Sequence, residues 1–460
     1  MAKKKKTVFM CQECGYESPQ WMGQCICGAW NSFVEEKVTD GQEDDIRRRS
    51  ASRNTNHVKA TSLKSVGTSE YHRMDTGIEE LNRVLGGGLV PGSLILISGE
   101  PGIGKSTLII QAAAKIAAKG KTVLYASGEE SEEQIKIRAD RVCGDLPDGL
   151  LILSETNMEN IVAAAESEKI DFLIIDSIQT MYTEELTAAP GSVSQVRACG
   201  NLLMKLGKTR DVPIFTVAHV TKSGELAGPK IIEHMVDCVL HFAGERHREL
   251  RMLRSFKNRF GTTSEVGAFM MEEEGLVEIS DLSGTFLEET GDRGDGAVIT
   301  AVYEGSRPVL FEVQALAVTA AAGFPKRTAV GIDSRRLNMI LAVIEKRLGI
   351  GMSTRDVYVN AVGGMRTDST SVDLATALSI YSSVKDKAAK GSVLVIGEIG
   401  LTGEVRSVQY ADRIFREAER MGFDRIIMPA KNAAKIKEKN PHCRISGVRT
   451  LREAVKVFSE

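Results

Sequence analysis

Residues 99–107 read GEPGIGKST, and this stretch restricts the fold of the chain more than any other. Glycines at 99, 102 and 104 let backbone N–H groups converge on phosphate oxygens. Such a loop belongs between a strand and the start of a helix, whose positive end faces the same phosphates. The flanks comply: LILIS precedes it at 94–98, and LIIQAAAKIAAK follows at 108–119. In this frame Lys105 reaches the β and γ phosphates and the Ser106 hydroxyl ligates Mg²⁺. Gly99, Glu100, Pro101, Gly102, Ile103, Gly104, Lys105, Ser106 and Thr107 together form the expected cradle for ATP or GTP.

Short apolar runs alternate with helical stretches from about 66 to 285: LILIS, then TVLYA at 122–126, FLIID at 172–176 and PIFTVAH at 213–219. The pattern predicts an α/β unit, a parallel sheet covered by helices. Asp176 closes FLIID, where a carboxylate either holds the water shell of the metal or caps the strand. Glu129 and Glu130 follow TVLYASG, so one of them could polarise an attacking water; EESEEQ also reads as the acidic first turn of a helix. His219 ends PIFTVAH, in place to sense a γ-phosphate or simply to pack.

At 460 residues the chain exceeds an ordinary domain, which predicts two or three units with their own cores. Residues 1–35 form a small cysteine-bearing unit, and 36–65, polar and almost without large apolar residues, predict a flexible linker. The nucleotide unit follows at 66–288. Beyond the glycine- and charge-rich GDRGDG at 291–296, residues 289–460 predict a separate α/β domain. There Leu337, Ile340, Leu341, Ile344 and Leu348 recur at helical spacing. A net charge of -2 with 26% charged residues gives no global basic field, so any nucleic-acid contact must come from local clusters or from oligomer symmetry. No run of about 18 apolar residues occurs and no apolar signal core follows MAKKKKTVFMCQEC, which predicts a soluble, cytoplasmic chain without a membrane partner.

Of eight cysteines, Cys11, Cys14, Cys25 and Cys27 crowd the first thirty residues. Cys143, Cys199, Cys238 and Cys443 lie singly in apolar surroundings, as small core residues do. A chain with a nucleotide site and no export signal belongs in a reducing compartment, which favours metal over disulfides for the clustered four. Cys11 and Cys14 have the spacing of a zinc knuckle. Cys25-Ile26-Cys27 is one residue short and cannot turn backbone N–H groups around sulfur in the same way, so weak or conditional zinc binding is expected.

An ordered series of motifs goes further. GAWN follows the cysteines, TGIEELNRVLGGGLVPGS leads into the phosphate loop, and SGEES, IDSIQT, PGSVSQVR, HVTKSGELAGP, EHMVD and KNRFG (257–261) come in turn. Over nearly the whole chain this series resembles the bacterial DNA-repair ATPases of the RadA family, also called Sms. The resemblance implies a RecA-like P-loop ATPase core, an inactive C-terminal domain similar to the proteolytic domain of Lon proteases, and an N-terminal four-cysteine zinc finger. It matches Glu129 to a carboxylate that activates water. It matches TEELTAAPGSVSQVR at 183–197 and TKSGELAGPK at 221–230 to two loops that face single-stranded DNA, and their Ser, Gly, Gln, Lys and Arg suit phosphate contacts without sequence readout. Lys257 and Arg259 look like cations that reach the ATP of a neighbouring subunit, and they also resemble an element coupling that site to DNA. The implied assembly is a hexameric homo-oligomeric ring with ATP, Mg²⁺ and Zn²⁺. The implied work is that of a DNA-dependent ATPase, a helicase or branch-migration motor on single-stranded DNA and branched recombination intermediates in DNA repair, with a RecA recombinase as partner.

One departure from the family bears on function. Before the DLA helix this chain has Asp368-Ser369-Thr370-Ser371 where the family usually reads something like Asp-Glu-Pro-Ala, which brings Ser371 near the place of the Lon nucleophile. An ATP-dependent Lon-like peptidase is therefore an alternative. A Ser-Lys dyad also needs a lysine within hydrogen-bond reach, and LTGEVRSVQYADRIF at 401–415 offers Asp412 at the matching place, which is no neutral-amine base. The domain then reads as a ring scaffold that presents Arg335, Arg336, Lys346 and Arg347 to DNA. A KaiC-like signalling ATPase is a third reading, opposed by the single phosphate loop and the Lon-like tail.

Overall fold

The structure, a computed structural model, describes residues 6–11, 16–38, 72–219, 231–244, 250–288, 294–320, 325–436 and 443–460. Contacts divide the chain into two compact units, Met1–Ile279 and Ser280–Glu460. Among the described residues no helix is long and apolar enough to cross a membrane.

In the first unit a nine-stranded sheet runs, edge to edge, Gly275–Glu278, Val266–Glu272, Leu250–Asn258, Cys238–Gly244, Leu94–Gly99, Ile214–His219, Phe172–Asp176, Val123–Ser127, Leu150–Ser154. The last six strands are parallel, as continuous apolar runs predict for most of them, because side chains on both faces must be buried. Ile95, Ile97, Val123, Tyr125, Phe172 and Ile174 enter one core with the helices Glu79–Leu85, Lys105–Ala117 and Glu132–Cys143. Their sequence neighbours Leu94, Leu96, Leu124, Leu173 and Ile175 enter a second core under Met158–Ser167 and Val193–Arg210. The antiparallel extension added to Cys238–Gly244, from Leu250–Asn258 through Gly275–Glu278, is not visible as apolar runs. Leu250–Asn258, for example, alternates buried and half-exposed residues, the pattern of a strand covered on one side.

A local signal settles the acidic stretch after Ser127. Ser131 and Gln134 form a reciprocal capping box, so the helix begins at Glu132 and leaves Glu129 and Glu130 on the preceding loop. The Ser127 hydroxyl accepts from the backbone N–H of Glu130 at 3.0 Å, which fixes that loop at the carboxyl end of the sheet. The N-terminal residues form a separate three-stranded antiparallel sheet, with Lys6–Cys11 between Glu17–Ser18 and Phe33–Val38.

The second unit is also α/β. Its mixed seven-stranded sheet runs Arg327–Val330, Arg355–Ala361, Arg307–Thr319, Ala297–Glu304, Val393–Val395, Arg425–Pro429, Arg444–Val448. Ala411, Ile414, Phe415 and Ala418 bring the helix Ala411–Arg420 onto one face, against Ile299, Leu310 and Leu394. The predicted helical repeat lies on Ser334–Leu348, capped by the Asp333 side chain, with Leu337, Ile340, Leu341 and Ile344 buried.

Candidate functional site

The carboxyl edge of the parallel strands gathers the expected residues. Gly99 pairs in register with His219, and Ser127 with Asp176. Only glycine fits at two points of the phosphate loop. A Cβ on Gly99 would lie 2.5 Å from the Phe242 carbonyl oxygen, and Gly104, at φ +113, would carry one 2.6 Å from the Met271 methyl. Gly104 also caps the Lys105–Ala117 helix without a side-chain hydrogen bond. The first N–H groups of that helix therefore have no side-chain cap, the condition for an anion site.

A cleft of about 460 Å³ opens there, lined by Lys105, Ser106, Thr107, Glu129 and Asp176 among others. The Lys105 ammonium donates to the carbonyls of Gly99 at 2.8 Å and Glu100 at 3.0 Å. Burial pulls it down to about 8, with Asp176 and Glu129 pulling it back up. The Tyr125 hydroxyl, on a fully buried ring, donates to Asp176 Oδ2 at 2.5 Å. The Ser177 hydroxyl donates to Glu129 Oε1 at 2.6 Å. Glu129 is thus tethered next to Asp176, whereas Glu130 pairs with Arg138 at 2.6 Å. Ile103 enters the core and its carbonyl accepts from Arg251 Nε at 3.2 Å, so only its backbone belongs to the cradle. Glu100, Pro101 and Gly102 are exposed at the loop tip. The side chain of His219 lies outside what the structure describes.

Three arginines in the cleft lining, Arg138, Arg141 and Arg251, were not anticipated. Arg138 links Glu130 to the metal-side carboxylate, since its Nη2 donates to the Tyr125 hydroxyl at 3.3 Å. Its Nε is buried with no partner among the described residues, a donor suited to an anionic ligand. Arg138 and Arg141 stand i, i+3 on a helix whose start the capping box marks, a signal that sequence could have supplied. Arg251 comes from a strand far along the chain and carried no such signal. The hydroxyl of Ser106 and the carboxylate of Asp176 line one cleft, and this hard-oxygen pair fits Mg²⁺.

Lys257 and Arg259 are not among the residues described as lining this cleft. The Lys257 ammonium donates to the carbonyls of Glu233 and His234 at 2.8 and 3.2 Å. Arg259 pairs with Asp237 at 3.0 Å, and the other Asp237 oxygen accepts from the backbone of Leu94. The Arg259 side chain remains 55% exposed, so this pair holds it weakly. Loop 221–230 lies outside the described residues. Of the stretch 183–197, residues 193–197 begin the Val193–Arg210 helix rather than a loop, and Gln195 there is no phosphate donor: it is 1% exposed, and its amide donates to the carbonyls of Thr183, Leu186 and Ala188 in the loop before it. It shapes the loop from within.

At the N-terminus the sulfurs of Cys11, Cys25 and Cys27 lie within 4.8 Å of one another, and those of Cys11 and Cys27 are 3.8 Å apart. Bonds of about 2.3 Å to a tetrahedral zinc require sulfurs separated by about 3.8 Å, so the three fit the metal. Cys14 lies outside the described residues. The short Cys-x-Cys step reaches the same point through a tight turn, Gly28 N–H to Cys25 O at 2.9 Å with Gly28 at φ +92.

In the second unit Ser371 is buried. Its hydroxyl meets the Ala301 carbonyl at 3.1 Å and the Ser369 hydroxyl at 2.9 Å; no lysine is among these partners, and Asp412 lies exposed on the Ala411–Arg420 helix. Arg335, Lys346 and Arg347 are exposed as expected. Arg336 is not a free surface cation: Nε and Nη2 hold both oxygens of Asp373, whose side chain is 0% exposed. Burial pushes the Asp373 carboxyl up, and Arg336 opposes that shift.

Comparison with known proteins agrees with this arrangement. A family model described as an AAA domain matches residues 60–225, one described as a rubredoxin metal binding domain matches 9–35, and one described as subunit ChlI of Mg-chelatase matches 316–432. The DNA repair protein RadA of Bacillus subtilis is 49% identical over 431 residues, 93% of each chain. The protein of that name from Streptococcus pyogenes serotype M3 is 48% identical over 100% of both chains, and that from Listeria monocytogenes is 46% identical over 99% of both.

Proposed function

We propose the following for this chain, which belongs to the RadA family of DNA repair proteins: it hydrolyses ATP in the Lys105 cleft and uses that turnover to move a hexameric ring along single-stranded DNA, unwinding or branch-migrating recombination intermediates. The observation that carries the chemistry is the pair of carboxylates at the sheet edge, Asp176 held by Tyr125 and Glu129 held by Ser177. Lys105 and the uncapped N–H groups bind the β and γ phosphates. Ser106 and Asp176 hold Mg²⁺, which neutralises charge on the phosphoryl oxygens when bound. Glu129 takes the proton of the attacking water. Lys257 and Arg259 lie apart from this cleft, which suits cations that serve the neighbouring subunit's nucleotide. The DNA-repair role of the relatives supports a DNA substrate, as do the exposed Arg335, Lys346 and Arg347. The Ser371 hydroxyl has no lysine partner among the described residues, which favours a scaffold over a peptidase. We place the protein in the cytoplasm, working beside a RecA recombinase.

ATP turnover with and without single-stranded DNA tests the reading. Single strands should raise the wild-type rate while casein stays intact. Glu129→Gln should keep nucleotide binding and lose about 10²–10⁴-fold in kcat, and Glu130→Gln should keep most of its rate. Turnover indifferent to DNA, or cleavage of casein, would end the motor reading. A larger loss in Glu130→Gln would move the base by one residue.

A further inference from the structure

Away from the nucleotide cleft, the second unit carries an aromatic stack on its surface. Tyr303 comes from the Ala297–Glu304 strand, which returns as Arg307–Thr319 through the tight turn at Gly305 and Ser306. Tyr410 immediately precedes the Ala411–Arg420 helix. The two rings stack with centroids 4.1 Å apart and planes 24° from parallel. The Arg413 guanidinium lies 5.6 and 5.8 Å from the two centroids. Its Nη1 donates to the Tyr303 hydroxyl and, at 3.5 Å, to the Ser306 carbonyl.

Three features distinguish this cluster from ordinary packing. Tyr410 is 48% exposed although Tyr303 covers one face of its ring. Its backbone is left-handed, φ 53, which costs a tyrosine about 1–2 kcal/mol that glycine or asparagine would largely escape. The adjoining charge is also not neutralised. Arg413 and Arg416 are exposed at i, i+3 on one helix, and neither has a carboxylate partner among the described residues. By contrast, Arg406 pairs with Glu404, and Arg420 with Asp281 and Glu417. Asp412 is the acidic residue on the same turn.

An accessible ring, held rigid from behind and flanked by guanidinium groups without a carboxylate partner among the described residues, has the chemistry that holds an unpaired base and the phosphates beside it. We propose that Tyr410, backed by Tyr303 and flanked by Arg413 and Arg416, is a stacking subsite for one unpaired nucleobase of single-stranded DNA. The inference rests on the single-strand motor reading and adds to it a point where the base is held as well as the backbone. Tyr303 and Arg413 act as positioning residues for the ring, and Arg416 meets a neighbouring phosphate.

Binding of a fluorescent oligothymidine to the full-length chain at fixed salt, followed by anisotropy, provides the test. Tyr410→Asn removes the ring and is at ease in the left-handed backbone, so it should retain the thermal transition of the wild type. Its Kd should rise about 5- to 150-fold, the loss of one base–aromatic stack, whereas Tyr410→Trp should stay within about threefold of wild type. An oligonucleotide with abasic sites should bind wild type and Tyr410→Asn alike. A deficit that persists on the abasic strand would assign Tyr410 a role through the fold or the phosphates and overturn the subsite. If wild type binds oligothymidine and Tyr410→Asn binds it equally well, the subsite fails and the motor reading stands. If wild type binds no single strand, both fail together.

Discussion

Replacing Arg336 by alanine separates two accounts of the C-terminal unit. Read as a surface cation, Arg336 would bind DNA; the structure instead makes it the counter-ion of Asp373. The Asp373 side chain is 0% exposed and its oxygens accept from Arg336 Nε at 2.9 Å, from Arg336 Nη2 and from the Ile399 backbone N–H at 3.1 Å. Without the guanidinium, one N–H remains for a buried carboxylate. Breaking such a pair costs about 3–5 kcal/mol. Because Arg336 is itself 24% exposed, water can reach part of the gap, which points to the lower end, about 3 kcal/mol. At about 2–4 °C per kcal/mol for a unit of this size, the transition should fall by about 6–12 °C. Hydrogen exchange in the Asp373–Lys385 helix should accelerate about 100-fold or more if it opens with the unit. Calorimetry of the full chain, with exchange read on that helix, measures both. The double variant Arg336→Met with Asp373→Leu should recover most of the loss, because an apolar pair of similar size leaves no buried charge. Single-strand affinity, measured below the transition, should change little. An Arg336→Ala protein that melts with wild type but loses DNA affinity would refute this reasoning and return Arg336 to the DNA-facing surface.

Cys27→Ser removes one of three converging sulfurs and should strip most of the zinc from anaerobically purified protein, read by metal analysis. Nucleotide binding should persist because the nine-stranded sheet shares no strand with the zinc finger; undiminished zinc would exclude Cys27 as a ligand. Arg259→Ala and Lys105→Ala proteins, each slow alone, should regain part of their turnover when mixed, since some interfaces then join an intact phosphate loop to an intact arginine. Mixed rings confirmed by mass but without rescue would leave Arg259 to its pair with Asp237. Asp75 is held down to about 2, chiefly by its hydrogen bond from Lys119, with help from the Gly77 N–H and Asn82. A carboxyl depressed on folding contributes stability above its unfolded pKa, near 3.8, and loses it as pH falls toward 2. Asp75→Asn should therefore be slightly less stable at neutral pH and show a shallower acid transition between about pH 4 and 2. An acid transition as steep as that of wild type would remove Asp75 from the account.

Local order along the chain was enough to reveal much of this protein. A glycine spacing, an adjacent strand and helix, and apolar runs buried on both sides are nearest-neighbour properties, so the phosphate loop, the parallel strands and the carboxylate at Asp176 were legible without coordinates. The acidic stretch EESEEQ was legible as a helix start too, but that the helix begins only at Glu132 and leaves Glu129 and Glu130 on a loop needed the Ser131 capping box and the turn through Ser127 to be seen. What only the tertiary structure decided was the choice of partner. Glu129 meets Ser177 and Glu130 meets Arg138; Tyr125 supports Asp176 from the adjacent strand. Arg251 arrives on an antiparallel strand beside the loop, and Arg336 turns inward to Asp373 while Arg335 beside it faces water. Gln195, on the first turn of its helix, holds the preceding loop from inside. Each of these side chains has the composition of a surface or catalytic group, and its role depends on which oxygen or nitrogen lies within about 3 Å once strands and helices far apart in sequence have packed. Hydrogen bonds and ion pairs act over that short range, whereas the patterns that specify strands and helices repeat along the chain itself.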